Sequence, residues 1–381
     1  MRRMVFPTLA VKKPVSIEVR EASLEDYAQV SDLESRYGLE TKAYDDWKHL
    51  WVNNPIYRQV TKRWPIGWVL EDSHRKIVGY LGNIPLSYEF EGKKLLVATG
   101  RAWVVDVAYR TYSLLLLDYF FAQTNVDLFL TTTLNAKAFE GFRSFGPSPV
   151  PIGDWDRSSF WVTNYASFLA SSFAEKEVPF AKPLSYALSV PLFIKDQFTR
   201  RLVGKNGRQV NVQACSNFDQ RFDTFWEGLR RSRSHTLLGT RTRETLSWHF
   251  GPALSVNRVW LFCVSEGQRL VAYSIFYRQD NTKWGLKRVR LADFQTIAND
   301  NSLLLPMLSC AMERCRCSGV QMLEIVGLCP EKTQLIAKLF PYRRKFSSWL
   351  SFYKSNNPQL AESLNDPNVW DLSCFDGDSS L

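Results

Sequence analysis

The sequence predicts the α/β class, with mixed α+β sheets, built as two tandem copies of one unit. Three observations carry this. Between Gly100 and Gly146, apolar runs that read as strands alternate with runs that read as helices. The pattern Trp-x-x-x-Pro ends a helix at Trp51–Pro55 and again at Trp248–Pro252, and a period of about 200 residues means duplicated domains rather than a solenoid. The chain has 381 residues, of which 45% are hydrophobic and 14% aromatic, enough for one to three well-packed domains.

In chain order, Ser16–Arg20 alternates like a short strand. Ser23, with Asp26 three residues on, marks a helix start, and Leu24, Tyr27, Val30 and Leu33 repeat at helical spacing to Tyr37. A second helix, Tyr44–Val52, ends before Pro55. Strands Gly67–Glu71 and Lys76–Leu86 flank the turn Asp72–Arg75, and Tyr88–Thr99 folds back through Glu91–Gly92. The central stretch then gives a strand Arg101–Val107, a polar turn Ala108–Ser113, a helix Leu114–Gln123, a strand Val126–Thr133 and a closing segment from Asn135. A strand that turns into a helix presents free amides and a positive dipole end, which suits a phosphate.

Trp155, Phe160 and Trp161 read as the strand that closes the first unit. The apolar patches Tyr165–Phe173 and Leu184–Ile194 read as a connector packed between two domains; the alternative is an interfacial membrane helix with the basic flank Lys195, Arg200, Arg201 and Lys205. The second unit runs through a helix Asn217–Arg233, a helix Thr242–Phe250, a hairpin from Trp260 to Tyr273, and a strand Lys287–Phe294 in which Asp293 matches Asp106. A helix Ser302–Arg316, a strand Met322–Gly327, a helix Glu331–Phe340 and a strand Ser347–Tyr353 complete it. Domains are therefore set at 1–156, 212–354, a connector 157–211 and a tail 355–381. The tail reads as a disordered or loosely packed end with one candidate strand, Trp370–Phe375.

The formal charge of +10 favours polyanionic partners, although the basic residues are scattered. Seven cysteines form no zinc-like or disulfide framework, so reduced thiols and a cytoplasmic location are expected, without a metal. No run approaches 18 apolar residues and the N-terminus has no signal-like apolar region, so no membrane span is expected and only peripheral contact is allowed. The four histidines stand near no Ser or Cys at a recognisable spacing, which leaves a hydrolase triad unsupported.

The stretch Val105-Asp106-Val107-Ala108-Tyr109-Arg110, with Asn135 and then Ala138, Phe139, Phe142, Phe145 and Gly146, resembles the core of the GCN5-related N-acetyltransferase (GNAT) superfamily. There, a splayed central strand leads into a pyrophosphate loop, and the next strand ends near an Asn followed by a short aromatic helix. The resemblance implies two tandem GNAT-like domains and acetyl-CoA, or another acyl-CoA, as co-substrate. It places Val105, Val107, Arg110, Thr111, Tyr112, Ser113, Leu114 and Asn135 around that molecule. Ser113 and Leu115 stand where the loop glycines belong, and glycine lets backbone approach phosphate closely. The second copy runs into Gln295–Ser302, with no glycine and with Asp300, and is expected to hold no CoA.

Acyl transfer to an amine needs a base and donors for the oxyanion. Asp106 is the nearest carboxylate in the sequence, and Tyr112 is the candidate acid or stacking residue. The function expected is an acyl-CoA-dependent N-acyltransferase acting on a small amine or sugar acceptor. The alternatives are a catalytically silent GNAT-like binding protein and a Fem-like transferase that uses aminoacyl-tRNA.

Overall fold

A computed structural model describes residues 16–60, 63–153, 155–202, 210–346 and 349–381. In the first half of the chain the elements are β1 (Ile17–Glu21), α1 (Tyr27–Arg36), α2 (Tyr44–Val52), α3 (Pro55–Gln59), β2 (Gly67–Asp72), β3 (Ile77–Phe90), β4 (Lys93–Val105), α4 (Ser113–Phe121), β5 (Leu128–Leu134), α5 (Ala136–Arg143) and β6 (Ser148–Pro149). Then come β7 (Arg157–Val162), α6 (Tyr165–Glu175), α7 (Ala181–Leu202), β8 (Val212–Cys215), α8 (Gln220–Ser232), β9 (Leu238–Gly239), α9 (Arg243–Ser255), β10 (Val259–Glu266) and β11 (Arg269–Arg278). The chain finishes with β12 (Arg288–Thr296), α10 (Leu304–Cys317), β13 (Met322–Val326), α11 (Pro330–Ala337), β14 (Tyr342–Lys345), β15 (Leu350–Lys354) and α12 (Pro358–Ser363).

Two mixed sheets organise these elements. The first has the order β1-β2-β3-β4-β5-β15-β6, with β9 added beside β3; the second has the order β14-β7-β13-β12-β11-β10-β8. The β3–β4 hairpin turns at Glu91 and Gly92, both at positive φ, the pairing of turn conformations that matches the twist of the flanking strands. One face of the first sheet buries Trp47, Trp51, Tyr80 and Ile84 against α1 and α2. The other buries Leu116, Phe120, Phe121, Phe129 and Phe142 under α4 and α5. The second sheet repeats this, with Phe222, Phe225 and Trp226 of α8 on one face and Met307, Leu308 and Ala311 of α10 on the other.

The sheets do not follow the order of the sequence. The strand read as closing the first unit, β7, pairs instead with β13 of the second sheet, Trp161 opposite Leu323. The strand read as completing the second copy, β15, pairs with β5 of the first, Tyr353 opposite Leu130. Each lobe thus closes with a strand from the other half. Trp161 and Phe352 are apolar in either setting, so composition alone does not assign them.

The helices that carry the repeated Trp-x-x-x-Pro pattern meet between the lobes. The Trp248 indole N–H donates to the His49 carbonyl at 3.1 Å, and the His49 ring N–H donates to the Trp248 carbonyl at 2.8 Å. The tail is also ordered, which corrects the loose end expected. Asp371 pairs with Lys332 and Arg233, both at 2.7 Å, and these cations hold its carboxyl far below its ordinary range in spite of full burial. Leu372, Cys374 and Phe375 are buried. The α7 helix is not enclosed between domains, as a connector would be: Leu184, Tyr186, Leu188, Val190, Phe193 and Ile194 are exposed.

Candidate active site between splayed strands

Strands β4 and β5 run parallel and pair at Val97 with Leu128 and at Ala98 with Phe129, and at no later residue. Beyond that point β4 stays with β3 as far as Val105 opposite Gly79, while β5 turns to β15, Leu134 opposite Leu350. The strands therefore open as a V. Helix α4 floors it with Leu117 and Phe120, α5 walls it with Ala138 and Phe142, and a cavity of about 140 Å³ remains. Gly100 lies at the throat, where a Cβ would come to 3.4 Å of Leu81 and 3.8 Å of Phe120.

A bulge shapes the β4 side. Tyr80 faces Val104 and Gly82 faces Arg101, so Leu81 alone faces both Ala102 and Trp103. Ala102 sits at φ +57°, a left-handed conformation that costs a non-glycine residue about 1–2 kcal/mol. A bulge leaves backbone unpaired and re-aims side chains. Just before it, Arg101 donates to buried Glu34 at 2.9 Å, which ties β4 to α1. Just after it, the Trp103 ring lines the cavity, and its indole N–H is buried with no hydrogen-bond partner. An orphaned donor of this kind costs about 1–3 kcal/mol. The ring borders the cavity, but this N–H is sealed from it, so a ligand carbonyl in the V reaches it only once the ring turns.

The β5 side carries a carboxylate from the far end of the chain. Asp378 lines the cavity and accepts from the Thr132 amide at 3.2 Å, the Thr132 hydroxyl at 3.0 Å and the Thr133 hydroxyl. Gly377 makes this approach possible. It adopts φ +67° and packs so tightly on Thr132 that a Cβ would lie 2.5 Å from its hydroxyl. The sequence reading missed Asp378, Trp103 and the threonine pair. The strand expected at Trp370–Phe375 does not form beyond a single bridge from Trp370 to Leu237, and nothing in the tail's alternation points to the first lobe.

The residues singled out in the sequence are placed as follows. Asp106 is outside the cavity lining. It accepts from the Tyr37 hydroxyl at 2.6 Å and from Arg36 at 2.9 Å, and these two hold its carboxyl below the usual range. Val105 is buried and paired with β3. Val107 to Tyr112 form a 3-10 helix that runs straight into α4, because no glycine interrupts it. The Ser113 amide is spent on the Arg110 carbonyl, so fewer amides point outward there than the loop pattern implied. Arg110, Thr111, Val107 and Leu114 are exposed, and Tyr112 and Ser113 are half-buried. Leu115 is also exposed and does not plug the V. Asn135 caps α5, accepting from the Ala138 amide at 2.8 Å, and lines the cavity as well.

The second lobe has the same V, and it is full. β12 and β13 pair from Arg288 to Arg290 opposite Met322 to Glu324 and then part. A bulge falls at Ala292, so Asp293 stands directly beside it, whereas Asp106 lies beyond the bulge at Ala102 and Trp103 and past the end of β4; the two aspartates do not correspond. The tail lies in this gap: the Phe375 amide donates to the Ala292 carbonyl at 2.9 Å, and about 10 Å³ is left beside Leu372, Ser373 and Cys374. Arg241, fully buried, pairs with Asp293 at 2.9 Å and Asp376 at 3.4 Å and locks the tail in place. Among the described residues no cluster of His, Cys, Asp and Glu is arranged to hold a metal.

No protein-family model matches the sequence, and no curated protein matches it. Solved structures do. Saccharomyces cerevisiae N-myristoyltransferase with bound myristoyl-CoA superposes with a TM-score of 0.57 at 12% identity, over 92% of this chain and 80% of that one. A GCN5-related N-acetyltransferase from Anabaena variabilis gives 0.53 at 12% identity, over 90% and 73%. A probable N-acyltransferase from Enterococcus faecalis gives 0.54 at 9% identity, over 90% and 72%. The chain has the GNAT fold, in two lobes.

Proposed function

We propose that this chain is an acyl-CoA-dependent N-acyltransferase with a single active site, in the first lobe. The observation that carries the reading is the contrast between two equivalent gaps: the one beside β4 is open and lined with the Trp103 ring and a carboxylate, and the one beside β12 is filled by the chain's own tail. The likeness to N-acyltransferases and to a myristoyl-CoA complex supports an acyl-CoA donor. We take the acyl group as acetyl, because the cavity is well below the roughly 300–1,000 Å³ of a drug-sized pocket and suits a short acyl group at the end of a pantetheine arm. The acceptor is a small amine, an amino sugar among them.

In this reading the arm enters between β4 and β5. Arg110, Thr111, Tyr112, Ser113 and the exposed face around Leu114 meet the phosphates, with Arg110 replacing the missing glycine amides as the charge. The acceptor nitrogen attacks the thioester carbonyl carbon, the C–S bond breaks, and the sulfur leaves as thiolate. Trp103 N–H and the β4 bulge donate to the oxygen as negative charge develops on it. Asp378 takes a proton from the acceptor ammonium, which frees the lone pair that attacks, and the proton the nitrogen loses as the amide forms goes to the departing thiolate. Asp378 replaces Asp106, whose carboxylate is committed to Arg36 and Tyr37.

Acetyl-CoA should raise the melting temperature, and the rise should grow with concentration. Asp378→Asn should keep that response and lose about 10²–10⁴-fold in kcat with an amine acceptor. The helical, glycine-free loop favours a second reading, a GNAT-like protein that binds without transferring. A melting shift with acetyl-CoA but no turnover across an amine panel would select it, and no shift would reject acyl-CoA.

A further inference from the structure

Helix α7 packs with its polar side inward. Ser185 is buried and Ser189 half-buried, and both donate back to their own helix, to the carbonyls of Lys182 and Tyr186, both at 2.7 Å. Leu192 is half-buried, and Asp196 accepts from Tyr165 of α6 at 2.6 Å and from Tyr342 at 2.9 Å. At 3.6 residues per turn these four fall in one narrow stripe of about 60°. The rest of the circumference from Pro183 to Ile194 carries no charged residue. Leu184, Tyr186, Leu188, Val190, Phe193 and Ile194 all stand between 38% and 69% exposed.

The turn before the helix adds an independent observation. Phe180 is 83% exposed and adopts φ +57°, a conformation that is an outlier for a bulky side chain. An aromatic ring held in water on a strained backbone gains nothing within this chain. Glu175, Lys176 and Glu177 lie on the α6 side of the turn and Lys182 follows it, all exposed, so the tip is apolar rather than strongly charged.

We propose that the α6–α7 hairpin docks on a lipid bilayer surface, with Phe180 as its leading wedge. The apolar arc spans about 220° of the helix, more than one rigid partner face covers and what a deformable acyl–headgroup boundary can enclose. Among the described residues no helix is long and apolar enough to cross a membrane, so α7 lies in the interface. Exposed Lys182, with no acidic residue in 178–195 and a chain charge of +10, makes the approach to anionic headgroups favourable. The inference stands apart from the acyltransferase reading, since none of these residues lines the V.

The test is cosedimentation of the full chain with vesicles of phosphatidylcholine and phosphatidylglycerol, with light scattering of the free chain. The intact protein should pellet with vesicles. Leu184→Glu combined with Leu188→Glu should weaken vesicle binding by about 100-fold or more, the effect of two buried leucines lost, and Phe180→Ala by about 10-fold. All three sites are exposed, so the melting temperature and any response to acetyl-CoA should stay as in the parent. Vesicle binding that survives the double substitution overturns the proposal. So does a chain that ignores vesicles but is a dimer made monomeric by the same substitutions, which assigns the face to a second copy.

Discussion

Trp103 illustrates what a single residue reveals when its hydrogen bonds are counted. Its indole N–H is buried without a partner in the free protein, so Trp103→Phe should leave the apo melting temperature equal or higher. Acyl transfer should nevertheless fall about tenfold, the worth of one hydrogen bond made in the reaction; a kcat assay beside a melt measures both. Arg110→Ala should weaken acetyl-CoA binding by about 1–3 kcal/mol, and unchanged affinity in a titration would remove Arg110 from the phosphate end. At this scale the sequence was legible only in part. Asn135 was readable as a cap because its bond is local. Asp378 was not, because its partners lie 245 and 246 residues away, and Asp106 misled because nearness in sequence to the V is not nearness in space.

Strands, helices and turns were the most legible level, since periodicity and caps are local signals: α1, α2, α4, α8 and α10 fall where the apolar spacing puts them. The tail was misjudged because its burial depends on a gap in another lobe. Its attachment has a pH signature. His249 stacks on Phe375 at 5.0 Å and bonds to Ser380 at 2.8 Å, and burial pushes the imidazole down to about 3, against a weaker opposing pull from the Ser380 backbone. The folded protein thus holds the neutral ring. The stability this contributes is present above the unfolded value near 6.5 and is lost as pH falls from there toward 3, where the unfolded chain binds the extra proton. A melting-temperature series should fall over that window, and His249→Phe should flatten it.

For the whole molecule, the duplication was legible and the division of labour was not. Trp51–Pro55 and Trp248–Pro252 announce two copies, and Asp300 in the loop of the second, where the first has Arg110, announces that it differs. That its cleft holds the tail, and that the tail then reaches the first lobe, is a property of three-dimensional connection alone. A fragment of residues 1–211 should therefore fail to give a cooperative melt by circular dichroism: it lacks β15, which covers β5 and joins it to β6, and its own β7 has no β13 to pair with.

The exchanged strands also impose an order of events during synthesis. Elongation at about 5–20 residues per second delivers β5 to the ribosome exit long before β15, more than 200 positions later, can cover its free edge. Through that interval the nascent first sheet exposes a bare strand, a hazard for association with neighbouring chains. Only when β15 arrives, and Asp378 after it, does the polypeptide acquire both the cover of that edge and the carboxylate that lines the V. A message truncated anywhere upstream would yield a product unable to act.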